Sequence, residues 1–383
     1  MAAAPWHVAA QDGPRTHAFI VATSAYQHLP GPTARQDPET FNLRGLRSAV
    51  AGAVAFARWL IESYNNPRAP LGSVWLLLSP SDSERDLVDA LPNTQGIQRA
   101  TRENTQAAVN AFAAAASESP ANEVIFYAGG HGVLVTQEQS FVLLEDFAAE
   151  PLNKFAGAID VASIRGALGR PTAAQRQLWL VDACAIRPSE VGKTSFQAGV
   201  RLDAALDQAP ESSIVLTGAA PHTRALGAPG VSTLFSQAVI ESFQMYAAAA
   251  GDDGQWGVTA LELSVAVPRR VHELARQHNT EQRAYYAGFG SEQVIHELAE
   301  PPNVEVTFTV IPDEAAGLCY LTVKRGNAQT MPATCMHPPV TATVPAGLYI
   351  ADVQINPPTA PFQNQVLPFD ATPPSPRTVL VDV

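Results

Sequence analysis

Five short apolar runs punctuate the first three quarters of the chain. They are residues 17–23 (HAFIVAT), 73–78 (SVWLLL), 123–127 (EVIFY), 177–181 (QLWLV) and 213–217 (SIVLT). Each has the length and β-branched or aromatic content of a strand buried on both faces. Stretches with apolar residues at helical spacing lie between and beyond them. Residues 42–64 place Leu43, Leu46, Val50, Val54, Ala57 and Leu60 on one face, and 101–116, 233–246 and 259–278 read the same way. Thr101 or Asn104 is the expected cap of the second helix. Runs 133–135 and 141–144 alternate as a small hairpin, and a short helix is expected at 164–168. Strands alternating with helices predict crossover connections and an α/β fold: a mostly parallel sheet flanked by helices on both faces.

The pattern changes at Pro301-Pro302. Beyond it helical periodicity is gone, and alternating runs at 304–310, 318–323, 340–344, 349–355 and 379–383 are punctuated by Pro and Gly. Residues 1–300 are therefore expected to form one domain, and 301–383 an all-β, sandwich-like accessory module.

The formal charge of −12 argues against a phosphate-gripping nucleic-acid binder and against an anionic membrane surface as partner. No basic segment followed by an apolar core opens the sequence, and no apolar stretch has the length of a membrane span. Three cysteines, none in a CxxC pair, make no disulfide framework, so a reducing, cytoplasmic setting is expected.

Two segments carry chemistry. The third run leads into Gly129-Gly130-His131-Gly132, and the fourth into Asp182-Ala183-Cys184. Groups just past the carboxyl ends of parallel strands collect in one crevice, so His131 and Cys184 are brought together although 53 residues separate them. An unperturbed thiol titrates at about 8.5, and a neighbouring imidazole both lowers that value and returns the proton to a leaving amine. The amides of Gly132 and Cys184 are candidate oxyanion donors, each contributing about 3 kcal/mol to lowering the barrier. Taken singly, Cys184 reads as a buried structural thiol and His131 as a loop residue; the pair at two strand ends favours chemistry. His272-Glu273 with His278 does not make HExxH, and the glycines around His131 fit no phosphate-binding pattern.

The segments FYAGGHG and LWLVDAC resemble the Y-S-G-H-G and D-A-C segments of caspase-like cysteine peptidases. HAFIVATSAY with NLRGLRSAVAGA, ATRENTQAAVNAF and SFVLLEDF are similar to metacaspase segments around the first strand, two helices and the hairpin. The resemblance spans 17–290. It implies a caspase-like fold and an endopeptidase with His131 and Cys184 as catalytic dyad, acting on a protein or peptide substrate without a cofactor or metal in the chemical step. Calcium activation is left open.

Metacaspases bind a basic P1 side chain with an Asp on the first helix, and Ala49 stands at that position. Asp182 remains to face a P1 cation, with Asp146 after the hairpin as a second S1 candidate. Arg44 lies close to the caspase arginine that reads a P1 aspartate. A basic P1, Arg before Lys, is the expectation. Ser24 and Tyr26 are placed near the same crevice. The His-Ser-Gly that follows the metacaspase Cys is replaced by Ala185-Ile186-Arg187. Residues 186–202 carry Arg187, Lys193 and Arg201 and are expected to be a cleavable loop, cut by the enzyme itself or by an upstream protease or regulator. The heavy use of Ala suggests a bacterial source, and the resemblance implies a zymogen in a proteolytic defence or cell-death pathway, expected as a monomer like metacaspases rather than an edge-paired dimer like caspases. The rival reading is a catalytically silent caspase-like scaffold that binds protein.

Overall fold

A computed structural model describes residues 3–9, 12–135, 140–184, 197–203, 209–219 and 230–383. They form two compact units, one of residues 1–240 and 259–296, the other of 241–258 and 297–383. The last crossing between the units falls at 296/297, and the second unit also takes in residues 241–258.

The first unit opens with β1 (His7–Val8), β2 (Thr16–Thr23), α1 (Ala49–Ser63) and β3 (Leu71–Ser79). A short α2 (Arg85–Asp89), α3 (Arg102–Ala116), β4 (Glu123–Gly130) and the three small strands β5 (Gly132–Leu134), β6 (Ser140–Leu143) and β7 (Ala158–Asp160) follow. Next come α4 (Val161–Ala167), β8 (Arg176–Ala183), β9 (Ser212–Thr217) and α5 (Leu234–Glu241). After the hairpin of β10 (Ala248–Ala250) and β11 (Trp256–Thr259), the chain returns through α6 (Ala260–Gln277), β12 (Tyr285–Phe289) and β13 (Val294–Glu297).

The main sheet has the order β1-β3-β2-β4-β8-β9-β12. Its five inner strands are parallel, and both edge strands run antiparallel to their neighbours. Every residue of β2 and of β4 is buried, which is why these strands read as unbroken apolar runs rather than alternating ones. Under one face Phe126 stacks on Phe19 at 5.1 Å and meets Trp179 at 5.0 Å, and Phe112 of α3 closes the cluster at 5.4 Å from Phe19. Thr101 caps α3, its hydroxyl accepting from the Asn104 amide.

Helix α1 begins at Ala49, seven residues later than its periodicity predicts. Phe41 and Asn42 have φ of 57° and 59°, which breaks any helix there. Leu43 and Leu46 keep their apolar character because they pack from a loop against the cluster that holds Tyr26, Leu29 and Phe147. The helix expected at 233–246 is α5 followed by a π-helical turn, Ser242–Tyr246.

The second unit carries β14 (Asn303–Ile311), β15 (Cys319–Arg325), β16 (Ala328–Cys335), β17 (Val340–Pro345), β18 (Gly347–Ile355), β19 (Gln365–Ala371) and β20 (Arg377–Asp382). They build sheets of order β17-β14-β20 and β16-β15-β18-β19. Phe308 of the first sheet meets Phe369 of the second edge-on at 5.2 Å. The sequence pattern misses β16, an exposed edge strand, and β19, which holds Pro368.

Candidate active site

β4 and β8 are hydrogen-bonded neighbours, with Gly130 opposite Ala183 at their carboxyl ends. His131 and Cys184 are the next residues, so they leave the sheet side by side at one level. Their surroundings are tight. A Cβ placed on Gly132 would lie 2.0 Å from the Cys184 carbonyl oxygen and 2.9 Å from the Ala183 Cβ. Gly130 has φ +147°, and a Cβ there would sit 2.9 Å from the Tyr26 hydroxyl. Both positions therefore exclude any side chain. Cys184 itself is partly exposed and is in no disulfide.

His131 is held from two sides. Its Nε2 lies 2.6 Å from the carbonyl oxygen of Arg44. A carbonyl only accepts, so Nε2 carries the proton and Nδ1 keeps its lone pair. Its backbone N–H donates to the Tyr26 hydroxyl at 2.9 Å, and the two rings lie 5.2 Å apart. The Tyr26 hydroxyl in turn donates to the Thr23 carbonyl at 3.2 Å. Burial lowers the pKa of His131, against the pull of the Arg44 carbonyl, so the ring stays a neutral base at physiological pH. Burial also pushes the Tyr26 phenol well up, with the charge of Cys184 as a smaller contribution, which keeps it protonated.

The loop that supplies the Arg44 carbonyl is pinned by local chemistry. Leu46 N–H donates to the Ser24 carbonyl at 2.8 Å, and Gly45 N–H to that of Pro30 at 2.9 Å. Ser24 does not reach the crevice: fully buried, it donates to Glu84 at 3.1 Å and accepts from Val50 N–H at 3.2 Å. Glu84, also fully buried, takes the Ala51 amide at 2.9 Å and the Ser81 hydroxyl at 2.6 Å. A buried carboxylate thus terminates α1 and anchors the loop beside His131. Ser81-x-x-Glu84 is a capping box, a signal visible in the sequence.

The caspase domain model of peptidase family C14 matches residues 16–298. The chain belongs to this family. Among solved structures the caspase domain is similar to a protein of Geobacter sulfurreducens, 14% identical over 73% of this chain and 94% of that one, with a TM-score of 0.41. It is likewise similar to caspase-1 of Spodoptera frugiperda, 12% identical over 72% of this chain and 87% of that one, TM-score 0.41. No curated protein matches the chain in sequence. The caspase domain thus carries the mixed α/β sheet of a cysteine peptidase family, with additional β sheets toward the C-terminus.

The S1 candidates of the caspase domain fall in different places. Asp182 is only 2% exposed; its Oδ2 accepts from Tyr127 at 2.7 Å and from the Thr233 hydroxyl. Its Oδ1 is buried without a hydrogen-bond partner among the described residues, next to the bare Cα of Gly218. Burial raises the Asp182 pKa to about 6, although both hydrogen bonds favour the ionised form. Asp146 instead accepts from the Arg102 amide at 3.0 and 3.1 Å, at the first turn of α3. The carboxylate that turns inward after the hairpin is Glu145, bound by Arg99 at 2.6 Å and by Ser79 at 2.6 Å. Burial opposes its ionisation, but these partners outweigh that and hold its pKa below the usual carboxylate range. The Arg44 guanidinium keeps its Nε buried without a hydrogen-bond partner among the described residues.

Arg187 and Lys193 of the expected cleavage loop lie outside the described residues. Its last part is docked: Val200 is fully buried, and Gln106 holds both the N–H and the C=O of Arg201. Among the described residues no group of three or more His, Cys, Asp or Glu is placed to hold a metal, and no helix is long and apolar enough to cross a membrane.

Proposed function

We propose that the caspase domain is a working cysteine endopeptidase, with Cys184 as nucleophile and His131 as general base. The observation that carries this reading is the His131 Nε2–Arg44 carbonyl hydrogen bond of 2.6 Å. It commits the proton to Nε2 and leaves Nδ1 basic on a residue that follows β4 where Cys184 follows the neighbouring β8. The Cys184 thiol gives its proton to Nδ1, and the thiolate attacks the scissile carbonyl, forming a C–S bond. The amides of Gly132 and Cys184 receive the oxyanion. As the C–N bond breaks, the imidazolium returns the proton to the leaving amine. Water, deprotonated by His131, then hydrolyses the thioester and frees Cys184.

For P1 the reading is a basic side chain, Arg before Lys. The unpartnered Asp182 Oδ1 supports it, since a buried carboxylate oxygen beside a glycine is a ready acceptor for a cation. The unpartnered Arg44 Nε supports a second reading, an acidic P1.

Fluorogenic peptides with P1 Arg, Lys or Asp, offered to wild type and Cys184→Ala, test both. Turnover of Arg or Lys substrates lost in the variant is the expected result, and turnover of Asp alone moves the P1 contact to Arg44. No turnover of any peptide by wild type, before or after limited proteolysis, would leave a silent scaffold. Thiol alkylation separates these cases independently: a dyad thiolate reacts well below pH about 8, and a structural thiol does not.

A further inference from the structure

A second groove, of about 660 Å³, lies near the amino ends of β8 and β9, the opposite end of the sheet from Cys184. Gly166 and Gly169 form one bank and the edge strand β12, with Gly288 and Phe289, the other. Arg165, in the last turn of α4, lines it partly buried. It makes no ion pair and no hydrogen bond among the described residues, and burial lowers its pKa. A guanidinium partly withdrawn from water gains from an anion or an acceptor fork beside it. The Ser213 hydroxyl, on a residue 6% exposed that lines the same groove, is buried without a hydrogen-bond partner among the described residues. Among the described residues a guanidinium without an ion-pair partner and a buried hydroxyl without a hydrogen-bond partner therefore line one groove.

The bank formed by β12 adds a second kind of recognition. Among the described residues β12 is the last strand of the sheet, and its outer N–H and C=O groups face no other described strand. Phe289 is 47% and Tyr286 49% exposed along it. Gly288 has φ +101°, and a Cβ there would lie 2.0 Å from the Ser213 carbonyl oxygen, so the strand hugs β9 and the groove beside it stays open.

We propose that this groove binds an extended acidic polypeptide segment, which adds to the free edge of β12 and places a carboxylate on Arg165 and the Ser213 hydroxyl. Edge pairing supplies sequence-independent main-chain hydrogen bonds, and the guanidinium supplies the choice of an acidic side chain. The site lies away from the dyad and does not depend on the peptidase reading.

The probe is a fluorescein-labelled heptapeptide of alternating Val and Glu, with a Val/Gln peptide as control, followed by anisotropy on the full chain. Wild type is expected to bind the Glu peptide, and both the Gln peptide and Arg165→Met to weaken binding roughly tenfold or more, as loss of a charge-assisted contact does. Arg165→Met keeps the aliphatic stem, and an unchanged melting temperature certifies the fold. Ser213→Ala is expected to weaken binding by a smaller factor. Equal binding of the two peptides, no effect of Arg165→Met, or no binding at all would overturn the proposal. So would competition by free glutarate as effective as by unlabelled peptide. A protein dimer that the Glu peptide fails to dissociate would assign the edge to a second copy instead, and likewise overturn it.

Discussion

The imidazole of His131 donates through Nε2 to the backbone carbonyl of Arg44 at 2.6 Å, across 87 residues of sequence. The contact belongs to the main chain of Arg44, so its part in holding His131 is separable from any part its guanidinium takes in substrate choice.

Arg44→Ala is therefore expected to retain the rate of Cys184 alkylation and to cleave the P1-Arg peptide within about threefold of wild type, because the carbonyl stays. His131→Ala removes the base and is expected to lower kcat by roughly 10²–10⁴. Parallel kinetics of the two variants check this, and an Arg44→Ala loss as large as that of His131→Ala would contradict it.

Gly132→Ala is expected to abolish activity or reduce it by more than about 10², since the added Cβ would meet the Cys184 carbonyl at 2.0 Å and displace the amide proposed as oxyanion donor. Overpacking at that contact should also cost about 1–3 kcal/mol of stability. Denaturant titration alongside kcat measures both effects.

Asp182→Asn is expected to raise stability while lowering turnover of P1-Arg substrates. The folded chain holds the Asp182 proton up to a pKa of about 6, against the ordinary carboxyl value of 3.8. Its ionisation therefore opposes folding increasingly above pH 3.8, and the cost is complete above pH 6. At pH 7 the amide would recover up to about 3 kcal/mol of that cost. Urea unfolding at pH 7 together with P1-Arg kinetics tests the pair of effects; unchanged turnover would place the carboxylate outside substrate binding.

Acid should destabilise the fold through two buried neutral histidines. Burial lowers both His17 and His296 to about 4 from 6.5. His17 accepts at Nε2 from Asn122 at 3.3 Å, with Ser73 on its Nδ1 at 2.8 Å, and His296 accepts at Nδ1 from the Asn65 amide at 3.1 Å. Protonation would set donor against donor in each case. The unfolded chain binds more protons as pH falls below 6.5, so stability declines through that window toward about pH 4. Each group contributes a slope of at most about 1.4 kcal/mol per pH unit. Asp182 works in the opposite sense below pH 6, so the comparison is cleanest in Asp182→Asn. Adding His296→Asn to that background should flatten the decline between pH 7 and 5, measured by urea unfolding.

Self-cleavage is expected after Arg187 or Lys193 rather than after Arg201, whose backbone is already held by Gln106. Intact mass spectrometry of wild type and Cys184→Ala decides it. Fragments ending at Arg187 or Lys193 only in wild type are the expected outcome, and identical masses remove self-cleavage.

Much of the caspase domain was legible in sequence because the information is local. Strands buried on both faces must read as continuous apolar runs, as HAFIVAT and EVIFY do, and the two chemical residues follow directly from the ends of two such runs. Parallel pairing then brings His131 to Cys184, since Gly130 and Ala183 share a register. The β module was likewise announced by the loss of helical periodicity after Pro301-Pro302, while β16 and β19 stayed hidden by exposure and by a proline. What tertiary structure alone decided is which polar atom meets which. No side-chain identity announces that the carbonyl of Arg44 is the partner of His131, because every residue carries a carbonyl. Nor does sequence separate Asp182, buried against Tyr127 and Thr233, from Asp146, spent on the first turn of α3. Periodicity even extended α1 back to residue 42, because Leu43 and Leu46 are apolar for another reason: they pack from a loop against the cluster around Phe147. Local patterns encode which segments become strands and helices, whereas the state of a proton or a carboxylate depends on neighbours that only folding supplies.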